Sequence, residues 1–496
     1  MFGGLSGMIM KKLLSLVTCV WIASTAGHEI FSSTDQVMQL VEEERYLLDI
    51  FKEYIDAEEE NLNTLKAIHK RLTQLSNFED SEEIMNDPVA AYKLIRRLRN
   101  EWLSIVNSTQ ESLYEAFQNL LHSGVLKIPS NEDLEGAALG LIELQDIYKL
   151  YPEDMIEGFF SSDEAFHVGL VAFEQEKFQF AFHWFLYSLE MLYQDSSVTK
   201  QQLLYHLSFS AYKFGSLSVA INFIIQHLNL DPTDENASYI LTLYRTLQHL
   251  RSSDPDIYTL NTESTDSYGA LCRGEVDRRT SRRQRALSCR YSTGGGNPRL
   301  ILAPLKEEIE WDEPQIIRYH DIISDKEIEI LKNLSRPQLS RSMIYSGISK
   351  IRVSQSVFLD EDDAVVARVT QRIADATGLS METAEKLHVQ NYGIGGKYEP
   401  HYDAWYQVNE RIATFLIYMS DVKIGGATVF PKVGVALQPK KGSAVFWYNL
   451  EKNGDVDLRT EHAGCPVFVG NKWVANKWIH EFGQEFRRPC SLSEWE

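Results

Sequence analysis

Beyond its N-terminal leader, the chain never runs to eighteen consecutive apolar residues, so no membrane-spanning helix is expected. Basic residues are in deficit: 49 Lys and Arg stand against 70 Asp and Glu, a net charge of −21. A surplus of that size excludes nucleic acid as a general partner and suits a soluble acidic protein. The one basic cluster, Arg278, Arg279, Arg282, Arg283 and Arg285, is expected to be a solvated loop. No phosphate-cradling glycine loop is expected, because Gly294-Gly295-Gly296 sits far from any strand–helix phosphate motif and reads as a hinge. Cysteine is scarce, with five in the chain.

What is present begins with a secretory leader. Lys11 and Lys12 precede the apolar Leu13–Ala23 stretch, and Ser24-Thr25-Ala26 offers small residues for cleavage. The alternative is a retained anchor, but the apolar stretch is short for one. Residues 1–26 are therefore read as a signal peptide. Its removal takes Cys19 and leaves Cys272, Cys289, Cys465 and Cys490. An even number in an oxidising compartment implies two disulfides with three possible pairings; free thiols are the alternative. Asn107, Asn236 and Asn333 head glycosylation sequons, in keeping with a lumenal route.

At 496 residues the chain is too long for one core, and several domains are expected. From Val37 to Leu75, apolar residues recur at three- and four-residue steps, including Leu40, Leu47, Phe51, Leu62 and Leu72. The pattern predicts a long amphipathic helix of coiled-coil character, interrupted by Glu44 and Glu58. Asp87-Pro88 opens a second helix with Leu94, Leu98 and Trp102 on one face. Residues 27–130 are read as a helical dimerisation region.

Residues 132–248 repeat. Gly169, Ala181 and Phe185, then Ser208, Ala220, Ile224 and Pro232, fall at the offsets of tetratricopeptide units. Ala181 and Ala220 lie 39 residues apart, above the usual period of about 34, so an extended connection is expected. Phe173, Tyr205, Phe209 and Tyr212 form a ring stripe that is either helical core or a peptide groove. Residues 249–299 read as a linker carrying a disulfide loop. From 300 to 496 the pattern turns to strands backed by helices near Asp325–Asn333 and Glu361–Thr377, which suits a double-stranded β-helix, or jelly roll.

The chemistry lies there. His401 and Asp403 stand at i and i+2, so on a strand they face one way. With His462 they make a 2-His-1-carboxylate set, which leaves open positions on Fe(II) for a 2-oxo acid and O2. Lys472 is placed to meet the far carboxylate of 2-oxoglutarate.

The run from Leu387 through Tyr-Glu-Pro-His401-Tyr-Asp403, Arg411–Val422, Gly425–Pro431, Lys440–Leu450 and His462–His480 to Cys490 closely resembles the catalytic domain of collagen prolyl 4-hydroxylase α subunits. Asp87–Leu94 extends the resemblance to the N-terminal region. It implies hydroxylation of proline in X-Pro-Gly repeats, with ascorbate added to Fe(II), 2-oxoglutarate and O2. By the same resemblance His480 sets the C1 carboxylate of the cosubstrate, with Tyr392 nearby, and lysyl hydroxylation is disfavoured by Lys472 in place of arginine. Cys272–Cys289 and Cys465–Cys490 are the pairs the family implies, and these are also the local ones. Further implications are self-association of α, docking of proline-rich, collagen-like peptides on the ring stripe, and an α2β2 tetramer with protein disulfide isomerase as β subunit. The chain ends Ser-Leu-Ser-Glu-Trp-Glu, so retention in the endoplasmic reticulum lumen would come from that partner. Two features depart from the family. Phe173 and Phe209 replace expected tyrosines, and only Ala404–Glu410 separates Asp403 from Arg411, a short loop where a lid is expected. An oxygenase for another lumenal peptide and a non-catalytic peptide-binding subunit are the competing readings.

Overall fold

The computed structural model describes residues 34–77, 86–102, 105, 129–155, 160–194, 196–249, 253–260, 266–276, 278, 288–343, 351–393, 395–405 and 408–491. The leader, Asn107 and most of the basic loop therefore lie outside the described residues. The chain divides into two compact units, residues 1–83 with 100–127, and residues 84–99 with 128–496.

The first unit contains α1 (Thr34–Asn77), the long helix expected from the apolar spacing. Its Leu48, Phe51, Ile55 and Leu62 are exposed, leaving an apolar stripe on its surface.

In the second unit, α2 (Pro88–Arg96) starts where Asp87 accepts from the Val89 N–H and Pro88 fills the first turn. Sequence grouped this helix with the dimerisation region. It packs instead with the helical repeats, where Tyr92 is fully buried and its hydroxyl lies 2.9 Å from His167 Nδ1. The repeats are α3 (Asn131–Tyr148), α4 (Ser162–Glu174), α5 (Phe178–Glu190), α6 (Lys200–Phe214), α7 (Leu217–Leu230) and α8 (Glu235–Gln248). Capping boxes at Ser130/Asp133, Ser161/Glu164 and Thr199/Gln202 begin α3, α4 and α6. Gly215, at φ 103°, ends α6 in a left-handed cap. The small residues carry the packing: a Cβ at Gly169 would meet the Phe185 ring at 2.7 Å. Ala181 and Ala220 are fully buried between neighbouring helices.

The stretch read as a linker is partly built into both folded parts. Ile257 is buried in the helical core. α9 (Ser267–Cys272) lays Tyr268, Leu271 and Cys272 against Ala427, Val429, Ala463 and Cys465. That packing pairs Cys272 with Cys465, with Cα atoms 5.6 Å apart, while Cys289 and Cys490 are exposed free thiols. The local pairings Cys272–Cys289 and Cys465–Cys490 are thus not the ones formed. Cys272 points inward from an apolar helix face, whereas Cys289 stands on an exposed edge strand.

The remaining elements form antiparallel sheets. β1 (Cys289–Ser292), β2 (Leu305–Asp312), β3 (Gln315–His320), β4 (Ser340–Arg341), β5 (Gln355–Leu359), β6 (Leu387–Tyr392), β8 (Arg411–Tyr418), β12 (Ala444–Tyr448) and β15 (Lys472–His480) make nine strands in the order β1-β2-β3-β12-β8-β15-β6-β5-β4. β7 (Tyr398–His401), β10 (Thr428–Phe430), β11 (Val435–Leu437) and β13 (His462–Gly464) form a second sheet, ordered β11-β10-β13-β7. β9 (Val422–Gly425) pairs with β14 (Val467–Gly470). Alternation decides the faces. Ala413, Phe415 and Ile417 of β8 join the core beneath α10 (Asp325–Ser335) and α11 (Ala364–Thr377). Leu416 and Tyr418 turn the other way, into a second core with Phe430, Val435 and Trp447. Thr414 shares that second face.

Candidate metal centre

His401 closes β7, His462 opens β13, and the two are directly opposite in the register. Asp403 follows two residues after His401. The three offer ligand atoms that all lie within 4.8 Å of one another. His401 Nε2 is 3.8 Å from Asp403 Oδ1, and His462 Nε2 is 3.5 Å from Asp403 Oδ2.

Backbone carbonyls set the tautomers. The Nδ1–H of His401 donates to Glu399 O at 2.8 Å, and that of His462 to Thr460 O at 3.0 Å. Both Nε2 lone pairs are thereby turned inward as metal donors. Thr414 donates to Asp403 Oδ2 at 2.7 Å, and Asn449 donates to Thr414 at 2.9 Å, which orients that hydroxyl. Burial drives His401 below its usual range, with His462 adding to the effect. Burial would raise Asp403, but His462, His401 and Arg411 outweigh it and hold the carboxyl low. At neutral pH the site therefore presents neutral imidazole on His401 and an ionised carboxylate. Tyr398 stacks on His401 with centroids 3.5 Å apart, and Trp447 meets His462 edge-on at 4.8 Å. The donor set, with two nitrogens, one carboxylate and a dry wall on one side, fits Fe(II).

Lys472 starts β15 on the face it shares with Val474, and is buried with its ammonium 5.1 Å from the Tyr392 ring centre. Among the described residues no carboxylate pairs with it, and burial lowers it to about 7. A buried, uncompensated cation favours an anionic ligand. Tyr392 directs its hydroxyl to Gln390 Oε1 at 2.8 Å. His480 donates from Nδ1 to Asn409 O at 2.6 Å, and its Nε2 lies 3.3 Å from Glu385, which raises its pKa. Glu385 also holds Arg411, whose guanidinium approaches Asp403 O at 3.5 Å. Thr414, Asn449 and Arg411 were missed from sequence. Thr414 did leave a signal, as a lone polar residue inside the apolar run Ile412–Tyr418.

In the short loop after Asp403, the Trp405 N–H donates to Glu410 at 2.7 Å, and residues 406–407 lie outside the described residues. In the helical part, the four sequence-predicted rings come together. Phe173 stacks on Phe209 at 5.5 Å, Tyr205 on Phe209 at 6.3 Å, and Phe209 on Tyr212 at 6.1 Å. All four are half-buried, and Tyr244 continues the row at 4.7 Å from Tyr212. Asn236 and Asn333 are exposed, on α8 and α10.

Three family models match the chain. "Prolyl 4-Hydroxylase alpha-subunit, N-terminal region" covers residues 33–162, "Prolyl 4-hydroxylase peptide-substrate-binding domain" residues 162–249, and "2OG-Fe(II) oxygenase superfamily" residues 387–480. Prolyl 4-hydroxylase subunit alpha-1 of Rattus norvegicus is 40% identical, over 99% of this chain and 99% of that protein. Prolyl 4-hydroxylase subunit alpha-2 of Gallus gallus is 40% identical, over 98% and 100%. A crystal structure of a viral collagen prolyl hydroxylase from Paramecium bursaria Chlorella virus-1 is 24% identical over 33% of this chain and 95% of its own, with a TM-score of 0.30.

Proposed function

The chain belongs to the prolyl 4-hydroxylase α-subunit family, and from that premise we propose that it converts proline of X-Pro-Gly repeats to 4-hydroxyproline. It is an Fe(II)- and 2-oxoglutarate-dependent dioxygenase. The observation that carries the proposal is the pairing, in one chain, of the convergent His401–Asp403–His462 donors with a stacked ring groove.

Bound Fe(II) supplies oxidative decarboxylation of 2-oxoglutarate to succinate and CO2, and hydroxylation of the proline ring. The chain's own part is placement. His401, Asp403 and His462 hold the ion. Lys472 receives the far carboxylate of the cosubstrate on a buried ammonium, where an ion pair orients strongly. His480, whose pKa Glu385 raises, would set the near carboxylate, while Tyr392 stands opposite Lys472 at the other end of β15. Tyr398, Phe430 and Trp447 line the histidines and keep water from them. Phe173, Tyr205, Phe209 and Tyr212 take a polyproline strand, which loses little entropy on docking against rings.

The two facing sheets support a jelly-roll reading of residues 300–496, and the exposed stripe of α1 supports a coiled-coil seam within residues 27–130. Residues 132–248 form the peptide-binding part, and residues 249–299 connect it to the barrel. We further assign ascorbate as reductant, the endoplasmic reticulum lumen as compartment, glycosylation at Asn236 and Asn333, and an α2β2 assembly with a protein disulfide isomerase. Among the described residues no helix is long and apolar enough to cross a membrane.

The test is succinate release with Fe(II), ascorbate and 2-oxoglutarate, with and without a (Pro-Pro-Gly)n peptide. Peptide-dependent succinate is expected. Succinate without peptide dependence would point to another peptide substrate, and none from folded, iron-loaded protein would leave a peptide-binding subunit.

A further inference from the structure

α3 of the helical part is seated on the barrel beside both metal-bearing strands. Tyr148 donates to Pro466 O at 2.7 Å and stacks on Phe468, and Arg273 donates to Ile147 O at 2.8 Å. Gly395 backs onto Gly140 so closely that a Cβ at Gly395 would stand 2.4 Å from Gly140 O. Within this contact Glu143 of α3 reaches Lys397 Nζ at 2.7 Å, and the same ammonium reaches Glu399 at 2.7 Å. The carbonyl of Glu399 is the acceptor that fixes Nδ1 of His401.

That link matters because, among the described residues, β7 is the terminal strand of its sheet, paired along its length with β13. Among the described residues its other edge has the bridge Arg352 to Tyr398 and backbone bonds from Lys397 and Glu399 to Val353 and Ile351. The Lys397 side chain is buried, so its charge needs partners. Burial opposes that charge, but Glu143 and Glu399 outweigh it and keep the ammonium protonated. Without Glu143, Lys397 and the Glu399 carboxylate lose their anchor to α3, and the segment presenting the His401 acceptor keeps only its backbone bonds to β13 and to residues 351–353.

We infer that Glu143 is a positioning residue for the metal ligand His401, acting through Lys397 and Glu399, so that the helical domain completes the metal site of the barrel. The inference rests on the metal site proposed above. Partners that orient a ligating histidine typically change metal affinity by about 10- to 100-fold when lost.

Co(II) titration of the full-length, metal-free chain, followed by visible absorption without turnover, reads the metal site directly. Glu143→Gln, which keeps the shape and removes the charge, is expected to weaken Co(II) about tenfold. Its affinity for a (Pro-Pro-Gly)n peptide is expected to stay at the wild-type value. Lys397→Met cuts the same link from the barrel side, and serves if E143Q yields no folded chain. The double variant is expected to bind no more weakly than K397M alone. Wild-type Co(II) affinity in the folded variant tested, while His462→Ala has lost it, overturns the role of Glu143 and leaves the metal site standing. A matching loss of peptide and metal binding marks a docking role only, and also overturns it. If wild type and H462A bind Co(II) alike, the metal site itself fails, and this inference with it.

Discussion

The proposed pairing of Lys472 with the far carboxylate of the cosubstrate would make cosubstrate binding a proton-linked event. An ordinary lysine titrates at 10.5, whereas burial brings this one to about 7. At about 1.4 kcal/mol per pH unit, the buried ammonium is disfavoured by on the order of 5 kcal/mol. The sign follows from proton counts. Between pH 7 and 10.5 the unfolded chain holds this proton and the folded, ligand-free chain has released it. Higher pH therefore stabilises the ligand-free fold across that window. Binding of 2-oxoglutarate runs the other way, because its far carboxylate needs the charged form. As pH rises above 7, proton uptake per bound cosubstrate climbs from about one half toward one, and apparent affinity should fall about 50-fold between pH 7 and 9. Anaerobic calorimetry on Mn(II)-loaded protein reads both quantities, if repeated in two buffers of different ionisation enthalpy. Lys472→Arg, whose guanidinium stays charged, is expected to flatten the profile. Constant affinity from pH 7 to 9 with no proton uptake, or an unchanged slope in the arginine variant, would refute the reasoning.

Other consequences are as direct. Thr414→Val removes the hydrogen bond to the Asp403 carboxylate; at about 1.5–3 kcal/mol for a charged acceptor, metal affinity should drop at least tenfold in a Co(II) titration. Phe209→Ala takes out the ring that stacks on Phe173, Tyr205 and Tyr212; the KM for a (Pro-Pro-Gly)n peptide should rise about tenfold, at about 0.5–1.5 kcal/mol per ring contact, with peptide-free turnover of 2-oxoglutarate unchanged. Non-reducing peptide mapping should recover a Cys272–Cys465 cross-link. Cys272→Ser opens a loop spanning 193 residues and is expected to cost about 3–5 kcal/mol in urea unfolding.

The metal centre was legible because its logic is local. The close spacing of His401 and Asp403 and the strand pattern around His462 pointed to the three donors, although Asp403 reaches the site from a bend just past the end of β7 and not from the strand itself. Small residues at Gly169, Ala181 and Ala220 likewise announced helix pairs, since nothing larger fits where Phe185 lies over Gly169. What stayed hidden depends on contacts between distant segments. Four cysteines allow three pairings, and only the apolar face of α9 selects Cys465 for Cys272. Lys397 and Glu143 are 254 residues apart and read singly as surface charges. α2 looked like part of the first helical region because its boundary signals say where it starts, not what its Tyr92 packs against.

The central claim, that this site hydroxylates proline with O2, is tested most directly by isotope transfer. With ¹⁸O2, 2-oxoglutarate, Fe(II) and a (Pro-Pro-Gly)n peptide, mass spectrometry should find one labelled oxygen in 4-hydroxyproline and one in succinate, and neither in the His462→Ala protein. Labelled succinate with unlabelled, unmodified peptide, or equal labelling by H462A, would contradict it.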